Sequence, residues 1–214
     1  MADERMGGCT YKDLSIVKKE QELARGDMPG PLHVISSDLI IDDIQLAQAS
    51  VSGADAVLLN VGAIGDIGKC KELFTAAKSI GLDAILGVSD KEQANDAIQS
   101  VGGRILCIYG SGDDVDEKGS IIENLDSNIC TIGIIYARDN KELEEVEEAW
   151  MLRDKGFNAV WASDCLYKYG QDEGEHPGAI IRSMKSKSSL KYASPKALSG
   201  KGEGATEYLG DIMM

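Results

Sequence analysis

The sequence predicts an α/β protein assembled from repeated parallel β/α units. Six short runs rich in Val, Ile and Leu recur along the 214 residues, with helical patterns between them. Each run is apolar at consecutive rather than alternate positions, the mark of a strand buried on both faces. Glycines stand where the C-terminal caps of the intervening helices belong. Strands alternating with helices imply parallel pairing through right-handed crossovers. A barrel and an open doubly wound sheet both satisfy this pattern.

The elements follow in order. Tyr11–Arg25 reads as a helix, broken by Gly26-Asp27-Met28-Pro29-Gly30. The first strand-like run is Leu32–Ser36. The helix after it, Asp43–Ser52, is expected to turn Ile44, Ala47, Ala49 and Val51 toward a sheet, with Gly53 as its cap. Ala56–Val61 is the second run, followed by Asp66–Ile80 with Leu73, Phe74, Ala77 and Ile80 on one face. Ala84–Val88 precedes Asp90–Val101, which Ser89 or Asp90 caps and Gly102-Gly103 end. Arg104–Tyr109 leads into a weak connection, Ser111–Ser127, with a short helix expected near Ser120–Leu125. Ile129–Tyr136 precedes Asp139–Lys155, whose Leu143, Val146, Ala149, Trp150 and Leu152 are expected inward. Its Glu142, Glu144, Glu145, Glu147 and Glu148 are expected on the solvated side. Asn158–Ala162 is the sixth run, and a last helix runs from Pro177 to about Lys187. The organisation expected is an N-terminal arm with a short helix (1–30), a β/α domain (31–187) and a basic Ser/Gly/Lys-rich tail (188–214).

Composition narrows the function classes. Lys and Arg number 22 against 36 Asp and Glu, a net charge of -14. Such a surface repels nucleic acid and anionic membranes. No apolar run is long enough to span a bilayer, and no signal or transit peptide is visible, so membrane insertion is not expected. The five cysteines form no CxxC pair and there are only two histidines. Reduced thiols in a soluble, reducing compartment (cytoplasm, or an organelle stroma or matrix) are expected, with no metal and no cofactor. The charge is uneven: residues 182–201 hold Arg182, Lys185, Lys187, Lys191, Lys196 and Lys201 and no acid. With Tyr208 and Leu209 of the apolar C-terminal tip, these are the candidate contacts for a protein partner.

Other motifs read blandly. Asp113-Asp114-Val115-Asp116-Glu117 lacks EF-hand spacing and reads as a solvated acidic loop. Gly62-Ala63-Ile64-Gly65-Asp66-Ile67-Gly68 misses GxGxxG spacing and reads as a strand-to-helix turn. Cys165 has no histidine close in sequence and reads as a packed thiol.

A family resemblance is carried by Ser37-Asp38-Leu39-Ile40-Ile41-Asp42-Asp43-Ile44-Gln45 and by Gly53-Ala54-Asp55-Ala56-Val57-Leu58-Leu59. Ala77-Lys78-Ser79-Ile80-Gly81-Leu82-Asp83, Gly156-Phe157-Asn158-Ala159-Val160 and His176-Pro177-Gly178-Ala179-Ile180-Ile181-Arg182 extend it. These blocks resemble indole-3-glycerol phosphate synthase. The resemblance implies a TIM-barrel-like fold whose six recognisable strands are the family's third to eighth, in an incomplete or distorted barrel. It also implies a lyase that closes an indole ring with loss of carbon dioxide and water. That activity uses a lysine general acid, carboxylates and a phosphate loop at the C-terminal strand ends.

Position by position, those groups are replaced. Ser37 stands at the lysine, Gly87 at a glutamate and Tyr109 at or beside an asparagine. Tyr136 and Ala137 stand at the Glu-Ser of the seventh strand, and Ser163-Asp164-Cys165 at the phosphate loop. If a ligand pocket is retained, Arg138, Ser163, Asp164 and Cys165 would line it, although a small-molecule ligand is not the expectation. The reading is a catalytically inactive synthase-like protein, serving as a structural or interaction subunit of a larger assembly. The alternatives are an active synthase-type lyase of tryptophan biosynthesis, or a barrel binding a phosphorylated metabolite. About 250 residues is typical of a complete barrel. Two β/α units are not recognisable here, so a protein partner, or sequence before Met1, is expected to cover the exposed sheet edge.

Overall fold

The computed structural model describes residues 9–26, 30–110, 114–136, 142–162 and 177–185. Six strands alternate with helices in chain order, as expected for a TIM-barrel-like α/β fold. The strands are β1 (Ile35–Ser36), β2 (Ala56–Asn60), β3 (Asp83–Val88), β4 (Ile105–Ile108), β5 (Cys130–Ile135) and β6 (Ala159–Ala162). The helices are α1 (Tyr11–Leu23), α2 (Asp43–Val51), the single turn α3 (Val61–Ile64), α4 (Ile67–Ser79) and α5 (Lys91–Asp96). They continue with α6 (Val115–Ile122), α7 (Glu142–Lys155) and α8 (Pro177–Lys185). A π-helical turn, Ala97–Val101, extends α5. The chain divides into two compact units, Met1–Gly110 with Ser120–Thr131, and Ser111–Gly119 with Ile132–Met214.

In the first unit, β1 pairs with β2, β2 with β3 and β3 with β4, all parallel. Val57, Leu59, Leu86, Leu106 and Ile108 of these strands are fully buried, which explains their unbroken apolar sequence. Each such side chain contributes about 1.5–3 kcal/mol on leaving water. α4 covers them with Cys70, Leu73, Phe74 and Ala77. Its N-terminus is fixed by the Asp66 side chain, which accepts from the Gly68 amide at 2.9 Å. α1 docks through Asp55, whose carboxylate accepts from Lys18 Nζ at 2.7 and 2.9 Å and from the Val34 amide at 2.8 Å. Burial raises the Asp55 pKa, and the hydrogen bonds from Lys18 and Val34 outweigh it, so the carboxyl sits below its usual value.

Three sequence expectations change in this unit. β1 is two residues long rather than the whole of Leu32–Ser36. Ile80 is 44% exposed, because it lies past the end of α4 at its cap. On α2, Leu46 and Ala49 are buried, whereas Ile44 is 65% exposed, Val51 is 90% exposed and Ala47 also faces outward. The helix is apolar on two opposite sides, and sequence periodicity selected the wrong one.

In the second unit, β5 pairs in parallel with β6, Ile132↔Ala159 to Ile135↔Ala162. α7 packs on β5 at Gly133, where an added Cβ would lie 2.8 Å from Leu152 Cδ1 and 3.3 Å from Phe157 Cδ1. Glycine is needed there for the close approach of helix and strand. α8 is tied to α7 by Trp150 Nε1, which donates to the Ser183 carbonyl at 3.1 Å. α6 begins at Val115, five residues earlier than expected, because the Asp114 side chain caps it by accepting from the Asp116 and Glu117 amides. Val115, Asp116 and Glu117 are therefore the first turn of a helix rather than a loop, with Asp114 and Asp116 exposed to solvent.

The glutamates of α7 give the largest correction. Glu145 and Glu148 are fully buried. Lys118 of α6, also fully buried, donates to Glu148 Oε1 at 2.9 Å and to the Ile134 carbonyl at 2.7 Å. This buried lysine is what allows a charged residue on the inner face of α7.

Candidate functional site

Barrel-type chemistry sits at the C-terminal ends of the strands. In the first unit those ends are residues 37–38, 60–62, 87–90 and 109–110, which contain no lysine or arginine. Lys91, next along the chain after Asp90, is exposed on the first turn of α5.

Most polar side chains at these ends are committed to local structure. Ser37 follows β1, half-buried. Asp38 Oδ1 accepts from the Leu39 amide at 2.8 Å. Asn60, the last residue of β2, caps α3 by accepting from the Ala63 amide at 2.9 Å. Asp90 caps α5 through the Gln93 amide at 2.8 Å. Gln93 in turn accepts from the Ser89 amide and donates to Asp90 Oδ2. The Asn60 and Asp90 bonds satisfy orphan helix donors.

The register places Asn60, Gly87 and Cys107 in one row across β2, β3 and β4. Tyr109, two residues beyond Cys107, points to the same sheet face as that row. Its amide donates to the Val88 carbonyl at 2.9 Å, and its ring folds back over Gly87. A Cβ added at Gly87 would lie 2.7 Å from Tyr109 Cε2. The tyrosine thus occupies the space that a side chain at position 87 would need.

Sequence reasoning missed Tyr11 at this end. Burial, and then the Asp38 carboxylate, push its hydroxyl above the usual value. The hydroxyl is buried with no hydrogen-bond partner among the described residues. The α1 pattern in sequence gives no sign of this, since Asp38 is far along the chain.

In the second unit, Tyr136 follows β5 and is 36% exposed, with Lys118 Nζ 5.9 Å from its ring centre. Ala137, Arg138, Ser163, Asp164 and Cys165 lie outside the described residues, as do Lys187, Lys191, Lys196, Lys201, Tyr208 and Leu209. Arg182 and Lys185 are exposed on α8. Their exposure is compatible with contact to another molecule but brings no second functional group to them. Among the described residues, no cluster of three or more His, Cys, Asp or Glu side chains is placed to hold a metal. No described helix is long and apolar enough to cross a membrane. A hollow of about 610 Å³ lies along one face of α4, lined by Lys71, Glu72, Thr75 and Ser79 among others, and includes no strand-end residue.

Comparison with known proteins places this geometry. Residues 11–110 match the family model of indole-3-glycerol phosphate synthase. The synthase of Thermoanaerobacter sp. (strain X514) is 34% identical over 67 residues, 31% of this chain and 25% of that enzyme. That of Bacteroides thetaiotaomicron is 37% identical over 93 residues, 44% of this chain and 32% of that enzyme. That of Lachnospira eligens is 47% identical over 62 residues, 29% and 23% of the two chains. The chain spans about a quarter to a third of the length of the curated relatives it matches. Among solved structures, a 3-hexulose-6-phosphate synthase superposes with a TM-score of 0.59 at 16% identity, covering 82% of this chain and 79% of that one. That likeness is one of fold.

Proposed function

We propose, from the match of residues 11–110 to the family model of indole-3-glycerol phosphate synthase, that this chain is a catalytically inactive relative used as an interaction subunit of a larger protein assembly. The observation that carries the reading is the Tyr109 ring over Gly87. By the family resemblance, position 87 is where a catalytic glutamate belongs. The bare glycine and the ring filling its space are complementary changes, and together they close the position to substrate. Ser37, at the lysine position, adds a hydroxyl that cannot serve as a cationic acid at neutral pH. Loss of a general acid alone costs about 10²–10⁴-fold in rate, and here its carboxylate partner is replaced as well.

The exposed cations Arg182 and Lys185, at the start of the basic stretch, are proposed as contacts for a protein partner. The identity to named synthases, up to 47% over a short stretch, favours a second reading: an active lyase, alone or with further chain. One experiment separates them. The purified chain is assayed for indoleglycerol phosphate formation and expressed in a tryptophan auxotroph lacking its own synthase. The proposal expects no turnover above the uncatalysed reaction and no growth. Growth without tryptophan overturns it.

A further inference from the structure

The outward side of α2 is exposed. Leu46 and Ala49 already anchor the helix to the rest of its unit. Opposite them, Ile44, Ala47 and Val51 form one exposed stripe at helical spacing, and Leu39 and Ile41, each more than half exposed, lead into it. A helix apolar on both sides belongs between two layers, and the neighbours of α2, α1 and α4, leave the second side exposed.

The charged side chains of α2 and of the segment leading into it are all acidic. Residues 34–68 contain no lysine or arginine, and Asp42 and Asp43 are exposed at the start of α2. The last turn of α2 has no basic residue of its own, and the Lys18 side chain lies over Gly53 just beyond it. Lys18 is engaged by Asp55, and Lys69, whose field reaches Asp42, is paired with Glu72 at 3.7 Å. A second copy of this chain would bring the same acids against themselves, at a net charge of -14 each.

We infer that the Ile44–Ala47–Val51 face of α2 docks an amphipathic helix of a protein partner, apolar on its inner side and flanked by lysine or arginine. The nine residues of α2 span about 13 Å, so two to three turns of the partner would cover the stripe. Ridges three and four residues apart favour a helix over a strand as the occupant. The inference names the surface and the partner chemistry of the interaction role proposed above, and so rests on that role.

The test measures binding of the full chain to labelled peptides by fluorescence anisotropy. One peptide, about 18 residues long to hold a helix, carries Leu at i, i+3, i+4 and i+7 and Lys elsewhere. A second is its scrambled sequence, and a third replaces Lys with Glu. The Lys peptide is expected to bind at least about tenfold tighter than either control. The double variant Ile44→Gln, Val51→Gln, checked for folding by circular dichroism, is expected to abolish that difference. Equal binding of the Lys and scrambled peptides overturns the inference, as does the absence of saturable binding. A dimer seen by sedimentation and dissolved by the double variant would assign the face to a second copy and also overturn it. The synthase assay reads separately, so absent turnover with failed peptide binding removes the docking surface and leaves the inactive reading standing.

Discussion

Replacing Lys118 by methionine removes the cation of a fully buried ion pair while keeping most of its volume. Glu148 would lose its 2.9 Å donor and the Ile134 carbonyl its 2.7 Å donor, both out of water. Removing one partner of such a pair costs about 3–5 kcal/mol, a large part of a stability of about 5–15 kcal/mol. Both tryptophans, Trp150 and Trp161, lie in the unit that contains the pair, so their fluorescence during urea unfolding reports on it. With a slope of about 2 kcal/mol per M, the expected shift in midpoint is about 1.5–2.5 M. The double variant Lys118→Met, Glu148→Leu removes both charges of the pair and takes the lysine donor from the Ile134 carbonyl, at about 1–3 kcal/mol. It should therefore be more stable than Lys118→Met alone. A midpoint shift below about 0.3 M for the single variant, or additive losses in the double, would refute the assignment of a coupled buried pair.

Three further outcomes follow from distances and burial. Gly87→Glu drives a side chain into the Tyr109 ring and should cost about 1–3 kcal/mol in a thermal melt followed by circular dichroism, with Tyr109→Ala in the same chain recovering much of it. Burial pushes the thiols of Cys70 and Cys107 up to about 11 and about 12, so iodoacetamide at pH 8 should label exposed Cys9 first, as read by peptide mass; equal labelling would contradict the packing. Because the folded Asp55 carboxyl lies below its unfolded value, its contribution is present above about pH 3.8 and is lost as pH falls through the folded value. Asp55→Asn should then lower stability near neutral pH by less than about 1 kcal/mol and flatten the acid limb, measured by urea midpoints in circular dichroism.

The strands were legible because a strand buried on both faces needs an unbroken apolar run, and Ala56–Asn60 and Asp83–Val88 supply one. Helix ends were legible where a side chain does local work: Asp90, one of the two residues the sequence offered, caps α5, and Asp66, the first residue of its expected helix, caps α4. What was not legible depended on partners distant in sequence. Glu148 looks like any solvated glutamate until Lys118, 30 residues earlier, is placed beside it. α2 offered two apolar faces, and periodicity carries no information about which one meets a sheet. At the strand ends, the sequence identified Gly87 and Tyr109 as separate departures from a family pattern. Only the register, which sets them on one sheet face, makes them a single contact.

The Tyr109–Gly87 contact couples two positions energetically. A glycine alone at position 87 would leave a hole beside Asn60, and a tyrosine alone at position 109 would collide with any larger neighbour. The cost of either error is of the order of 1–3 kcal/mol, comparable with a sizeable fraction of a domain's stability. The two residues together avoid both costs, and the ring gains contact with the Gly87 backbone. The strand ends around them are stitched in the same manner, with Asn60, Asp90 and Gln93 each bonded to helix or loop donors. We expect Ser37→Lys alone to give no turnover in the indoleglycerol phosphate assay, because the Tyr109 ring still fills the space beside Gly87; turnover above the uncatalysed reaction would contradict this.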